Sequence, residues 1–285
     1  MKIILFPCQF GNINQVDEDY QKEYNSAIKN GFEVLLFNFD DFTLTNSKLK
    51  LNKNLNLKEK VTILYRGWML KFKDYERLYN SLLTLNMQLI NNPIEYRNCH
   101  EFPYSYNNLK DYTPKCIYYK KDEKIDWGFV KKNFSKFLIK DFVKSVKGFD
   151  FPIYFDDNYS NEQLDEFVKK FIQIRDNMYT GGIVIKEFME LDKTNDITHE
   201  FRGFYLNKQL FILYQNSKND NDFLPYQLAQ QVPLLDSNFY TIDFAILKGD
   251  IQIVIETGDG QVSGISNENM IDMFYKNLRM CKEEV

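Results

Sequence analysis

Apolar residues come in short runs through the first third of the chain, separated by stretches with helical spacing. Residues 2–7, 32–38, 61–65 and 88–90 read as strands, and residues 17–30 and 74–85 as helices, the first stopped by Gly31. Strands alternating with helices predict a parallel α/β layer, whose crevice lies at the loops on the carboxyl ends of the strands. Gln9-Phe10-Gly11 and Arg66-Gly67-Trp68 stand at two such ends, and Asn91-Asn92-Pro93 closes the last strand. Residues 43–60 carry many Asn and Lys without a period, which predicts a surface excursion.

From about Cys116 the pattern changes. Phe137-Leu138-Ile139-Lys140-Asp141-Phe142 and Ile183-Val184-Ile185-Lys186-Glu187-Phe188 are near copies, each an apolar triplet followed by Lys, an acid and Phe. Between them Ser160 and Gln163 form a capping box, and Leu164, Phe167, Val168, Phe171 and Ile172 recur at helical spacing until Gly181-Gly182. A small antiparallel sheet covered by one helix is expected, with a basic connection through Lys144 and Lys147. The last third reads as two hairpins, residues 200–214 and 239–257, followed by a helix capped by Asn267 with Ile271, Phe274, Leu278 and Cys281 on its apolar face.

Composition narrows the function classes. With 285 residues, 44% hydrophobic and 16% aromatic, the chain has enough apolar area for two or three packed subdomains, and disorder is excluded. A net charge of -4 has the wrong sign for a nucleic-acid coat. No apolar run approaches the roughly 20 residues of a membrane span, and the start does not read as a signal peptide, so a cytoplasmic location is expected. Cys8, Cys99, Cys116 and Cys281 are widely separated and read as reduced thiols, and Cys99-His100 reads as ordinary packing.

The sharpest chemical signal lies in the last hairpin. If Gly249-Asp250 is a two-residue turn, Leu247 opposes Gln252, Ala245 opposes Val254, and Asp243 opposes Glu256. Two carboxylates about 5 Å apart at their Cβ atoms repel, so a cation is expected between them, and Mg²⁺ commonly takes one or two carboxylates alongside phosphate and water. On repulsion alone, Glu256→Gln is expected to leave the metal-free protein at least as stable. The plain alternative is a solvated or singly protonated pair. The following Thr257-Gly258-Asp259-Gly260-Gln261 reads as a Gly-rich turn, with Asp259 and Gln261 as further ligand candidates beside the pair. Lys140 and Lys186 either snorkel to water or, with Lys144, hold an anion between strands. Arg202 either bridges Glu200 or offers a forked donor to phosphate.

Taken together, Lys140, Lys186, Glu200-x-Arg202, Asp243 and Glu256-Thr257-Gly258-Asp259-Gly260-Gln261 resemble the ATP-grasp superfamily, specifically the clade named for one arginine and two lysines. Residues 117–285 carry the likeness best, while Arg66-Gly67-Trp68 and the stretch from Asn92-Pro93 to Pro103 are similar to the clade's N-terminal domain. The resemblance implies an α/β N-terminal domain (1–115), then an α+β ATP-grasp fold whose lid (116–194) and core (195–285) subdomains clasp the nucleotide. It also implies ATP and Mg²⁺ as cofactors. Lys140 and Arg202 would grip phosphates, Lys186 would lie beside the adenine with Glu187, Phe188 and Met189 as hinge, and Glu190 or Asp192 would meet the ribose. Asp243 and Glu256 would bind Mg²⁺. Many members have Asn two residues after the glutamate; here Gly258 stands there, leaving Asp259 as substitute ligand. Arg66 would bind a substrate carboxylate or acyl phosphate, or else cap the Trp68 region.

The activity so implied is ligation of a small-molecule or peptide carboxylate to an amine, thiol or similar acceptor through an acyl phosphate, with a kinase or an ATP-gated binding module as alternatives. No nucleic acid or membrane partner is expected. Specificity is expected in the N-terminal loops and residues 216–231.

Overall fold

A computed structural model describes residues 2–146, 148, 150–216 and 224–281. Lys147 and, within the expected specificity segment, residues 217–223 lie outside the described residues.

The first sheet contains β1 (Ile3–Gln9), β2 (Asn12–Val16), β3 (Glu33–Phe37), β4 (Val61–Tyr65) and β5 (Met87–Leu89). β3 and β4 flank β1 in parallel, β5 continues beside β4, and β2 turns back antiparallel on the end of β1. β1 is an unbroken buried run because both faces are covered. On one face Ile3 and Leu5 meet α3 (Phe72–Leu83) through Tyr75, Leu78 and Leu82. On the other, Ile4 and Phe6 share a core with α1 (Gln21–Lys29) and the last helix, α9 (Ile271–Met280). Residues 43–60 differ from expectation: α2 (Phe39–Leu44) leads in, and Leu49, Leu51, Leu55 and Leu57 pack against the core, so the leucines anchor a segment whose polar residues face outward.

Two short helices, α4 (Pro93–His100) and α5 (Phe102–Leu109), fill a stretch without a helical signal. Asn92 starts α4 with a complete capping box to Glu95 and proline in the first turn.

The second sheet is antiparallel, ordered β6 (Cys116–Lys120), β9 (Gly182–Glu187), β7 (Lys136–Asp141), β8 (Phe155–Asp156). The two near-copy strands are neighbours, with Leu138 opposite Lys186 and Lys140 opposite Val184. Phe137, Ile139, Ile183 and Ile185 pack under two helices rather than the one expected, α6 (Trp127–Asn133) and α7 (Asn161–Arg175). Strand alternation then turns both lysines to the opposite face.

Beyond the ribbon of β10 (Lys193–Thr194) and β11 (Ile197–Thr198) lies the third sheet, ordered β13 (Gln209–Gln215), β12 (Glu200–Leu206), β14 (Phe239–Leu247), β15 (Ile251–Asp259). Phe201, Ile242, Phe244 and Val254 line one face, with α8 (Tyr226–Gln231) beside them through Ala229. Phe204, Leu206 and Phe239 on the other join the core shared by the first sheet and α9.

Candidate active site

Arg202, Asp243 and Glu256 stand in a row across β12, β14 and β15, each opposite the next. The pairing expected from the hairpin is present, but for a different reason. The turn has three residues, Lys248 to Asp250, so Leu247 pairs with Ile251 and Phe244 with Val254; a bulge at Ile255 then restores Asp243 to Glu256. The two carboxylates do not confront each other bare. Arg202 donates to both Asp243 oxygens at 2.7 Å, so it pairs with Asp243 and not with Glu200. Lys140 Nζ donates to Glu256 Oε1 at 2.7 Å, and Lys144 Nζ lies 3.9 Å from Oε2. Burial opposes ionisation of Glu256, but Lys140 and then Lys144 outweigh it and hold the carboxyl at about 2.

Asp141 sets Lys144 in place. Its buried carboxylate pairs with Arg175 at 2.9 Å and accepts the backbone N–H of Val143 and Lys144. Lys186 Nζ donates to the carbonyl of Ile255, the extra residue of the bulge, at 2.6 Å. Its ammonium lies 4.2 Å from the ring centre of Phe102, which also lies beneath Lys140. Burial, then the neighbouring Lys140, lower the pKa of Lys186 to about 7. The lysines of β7 and β9 therefore reach the third sheet at Glu256 and at the carbonyl of Ile255.

The segment after β9 runs from the second sheet to the third. Phe188 packs at a tilt against Tyr154 and its N–H bonds to the carbonyl of Lys136; Glu187 accepts from the N–H of Lys115. Asp192 is fixed to β14 by its N–H on Ile246, while Met189 is half-buried and Glu190 pairs in solvent with Lys248.

Two expected site residues stand elsewhere. β15 continues to Asp259, so strand alternation turns this carboxylate to the face away from Glu256. There it is fully buried, accepting from Asn91 and from the backbone of Gln261, and burial pushes its pKa up to about 7. Gln261 is turned inward with it, donating to Tyr75. Among the described residues no group of three or more His, Cys, Asp or Glu gathers around one metal position. Arg66 is 1% exposed; its Nε and Nη2 clasp Glu23 at 2.8 Å, and Nη1 donates to the carbonyls of Gly260 and Ser263. With its donors so committed, it supports the loop beside the site instead of facing a substrate.

The row of charges lines a cavity of about 260 Å³. Its lining also includes Tyr20, Trp68, Met69 and His100, to which the sequence assigned no role there. Gly258 keeps the floor open, since a Cβ there would stand 2.8 Å from Ser263 Oγ and 2.9 Å from Thr241 Oγ1.

The donor set suits Mg²⁺. Two opposed carboxylates supply hard oxygens and leave coordination positions for phosphate and water, while Arg202, Lys140 and Lys144 can turn to phosphate oxygens.

The sequence matches the profile of the ATP-grasp domain, R2K clade family 3, over residues 125–278. Among solved structures the chain is similar to a RimK domain ATP-grasp protein from Sphaerobacter thermophilus, with TM-score 0.62 and 13% identity over 98% of each chain. It is also similar to D-alanine–D-alanine ligase from Bacillus anthracis bound to ATP, with TM-score 0.56, 14% identity, and 98% of this chain and 94% of that one covered. A third is the ATP-grasp ligase PsnB with a phosphomimetic variant of its minimal precursor, Mg and ADP, with TM-score 0.60, 9% identity, and 98% and 97% covered. At these identities the likeness is one of fold. No curated protein matches the sequence.

Proposed function

The chain belongs to the R2K clade of the ATP-grasp family, and from that premise we propose that it is an ATP- and Mg²⁺-dependent ligase joining a small-molecule or peptide carboxylate to a nucleophilic acceptor through an acyl phosphate. The observation that carries the reading is the row Arg202, Asp243, Glu256, closed by Lys140 from the facing sheet. Phosphoryl transfer to a carboxylate needs positioning and charge neutralisation more than a covalent protein nucleophile, and these residues supply both.

On this reading residues 1–115 form the acceptor side, 116–194 the lid and 195–285 the core. Asp243 and Glu256 hold Mg²⁺, which when bound neutralises the phosphate charge. Arg202, Lys140 and Lys144 exchange their carboxylate partners for phosphate oxygens as nucleotide enters. Lys186 and the segment 187–192 face the base and ribose. A cytoplasmic setting supplies ATP and Mg²⁺ together.

Phosphate release from Mg·ATP with panels of carboxylic acids and amines tests the reading. A ligase turns over only when both co-substrates are present. Release with the acid alone indicates a kinase, and nucleotide binding without turnover indicates a binding module.

A further inference from the structure

Phe102 brings a single aromatic ring against the ammonium groups of both near-copy strands. Its ring centre lies 5.5 Å from Lys140 Nζ and 4.2 Å from Lys186 Nζ, and all three side chains are buried. Lys140 has the carboxylate of Glu256 as a partner, whereas the acceptor at Lys186 is an uncharged group, the carbonyl of Ile255. Two cations buried near one ring repel each other, and the depression of the Lys186 pKa by burial and then by Lys140 has that sign. The face of an aromatic ring carries negative potential, so it offsets part of both charges where an aliphatic side chain of similar size would offset neither.

The ring does not come from the strands that carry the lysines. It opens α5, which is tied to both sheets. The N–H of Phe102 donates to the carbonyl of Phe142 at 2.8 Å, within the turn that leads to Lys144. α5 has no side-chain cap, so the turn satisfies a donor that a cap would otherwise leave to water. Tyr106 Oη accepts the N–H of Cys116 at 3.1 Å, and Cys116 stands opposite Lys186 in the pairing of β6 with β9. Toward the third sheet, the hydroxyls of Ser105 and Thr257 share a hydrogen bond at 3.0 Å, one residue beyond Glu256. α5 therefore holds the Phe102 ring in place between the sheet that supplies the lysines and the strand that supplies Glu256.

We propose that Phe102 is a positioning residue for the nucleotide, its ring face holding the Lys140 and Lys186 ammonium groups together at the spacing in which the nucleotide meets them. The proposal rests on the ligase reading and adds to it a residue outside the second sheet that governs nucleotide affinity. No atom of Phe102 takes part in bond making; it acts through the two lysines.

The effect on affinity follows from what the lysines do without the ring. A lysine stem has four rotatable bonds, and an ammonium group freed from a compensating partner turns toward water. Nucleotide binding must then regather both side chains and desolvate them again, a cost that the ring removes in advance.

Ring fluorination separates this role from simple packing, because it withdraws the negative face while nearly preserving the shape. Phe102 is replaced, through a suppressed stop codon, by phenylalanine carrying one, two or three ring fluorines, and Mg·AMP-PNP binding to the full chain is measured by calorimetry. Affinity is expected to fall with each fluorine, by about tenfold over the series, and Phe102→Leu is expected to bind at least as weakly as the trifluoro protein. A ring that only fills space gives the same affinity throughout, and that result overturns the proposal. So does a loss already complete with one fluorine, which marks steric disturbance. If Phe102→Leu unfolds, the fluorinated series decides alone. Failure of the ligase reading is distinct: wild-type protein that binds no Mg·AMP-PNP sinks that reading and this proposal with it, whereas firm wild-type binding with a flat series sinks the role of Phe102 alone.

Discussion

Glu256 carries a negative charge that Lys140 and Lys144 stabilise before any ligand arrives. The repulsion expected from two opposed carboxylates is therefore already compensated within the chain, and the expected effect of substitution changes sign. Glu256→Gln leaves the buried Lys140 ammonium without its carboxylate and is expected to destabilise the metal-free protein by roughly 2 kcal/mol, the scale of a charge-assisted hydrogen bond. Thermal melts check this, and the same variant is expected to lose the Mg·ATP-dependent rise in Tm. A second residue-scale prediction concerns pH. Lys186 has a folded-state pKa of about 7 against an ordinary 10.5, so between these values the folded state binds fewer protons than the unfolded state. Its contribution to stability therefore improves as pH rises through that window. Lys186→Met is expected to remove that slope, measured as the difference between variant and wild type in urea unfolding across the same range. Equal slopes would place Lys186 in water.

At the scale of elements, β7 and β9 were legible because each carries its apolar triplet and lysine within six residues, and strand alternation alone puts the outer residues of the triplet and the lysine on opposite faces. The hairpin was legible only in part. Its turn is one residue longer than the sequence suggested and the bulge at Ile255 adds one back, so Asp243 met Glu256 although Ala245 and Val254 did not pair. Asp259 was misassigned because a Gly-rich stretch reads as a turn, whereas backbone pairing carries β15 through Gly258 to Asp259. His100 and Phe102 left no signal: α4 and α5 are eight residues each, too short to show a period, and their place beside the site depends on distant contacts. The capping box of α7 was legible from Ser160 and Gln163 alone, and both reciprocal bonds are present. Ser160→Ala is expected to cost about 1 kcal/mol, seen as a lower Tm with nucleotide affinity unchanged, since α7 packs on the face of the second sheet away from the lysines.

Across the whole molecule, the first and last segments are joined at a buried charge. Glu23 on α1 is gripped by Arg66 and receives the hydroxyl of Tyr275 on α9 at 2.7 Å, while Arg66 also holds the carbonyls of Gly260 and Ser263. Glu23→Gln leaves the guanidinium uncompensated and is expected to cost about 3 to 5 kcal/mol in urea unfolding, with weaker Mg·AMP-PNP binding because the loop beside the cavity loosens. The same junction bears on the order in which the protein can mature on the ribosome. Glu23 and Arg66 are synthesised well before the helix that seals them and that helps cover Ile4, Phe6 and Leu36. Until α9 leaves the exit tunnel, the face of the first sheet that carries α1 is only partly covered and its ion pair lacks Tyr275. The nascent chain thus passes through an interval in which the first sheet exposes apolar surface open to association.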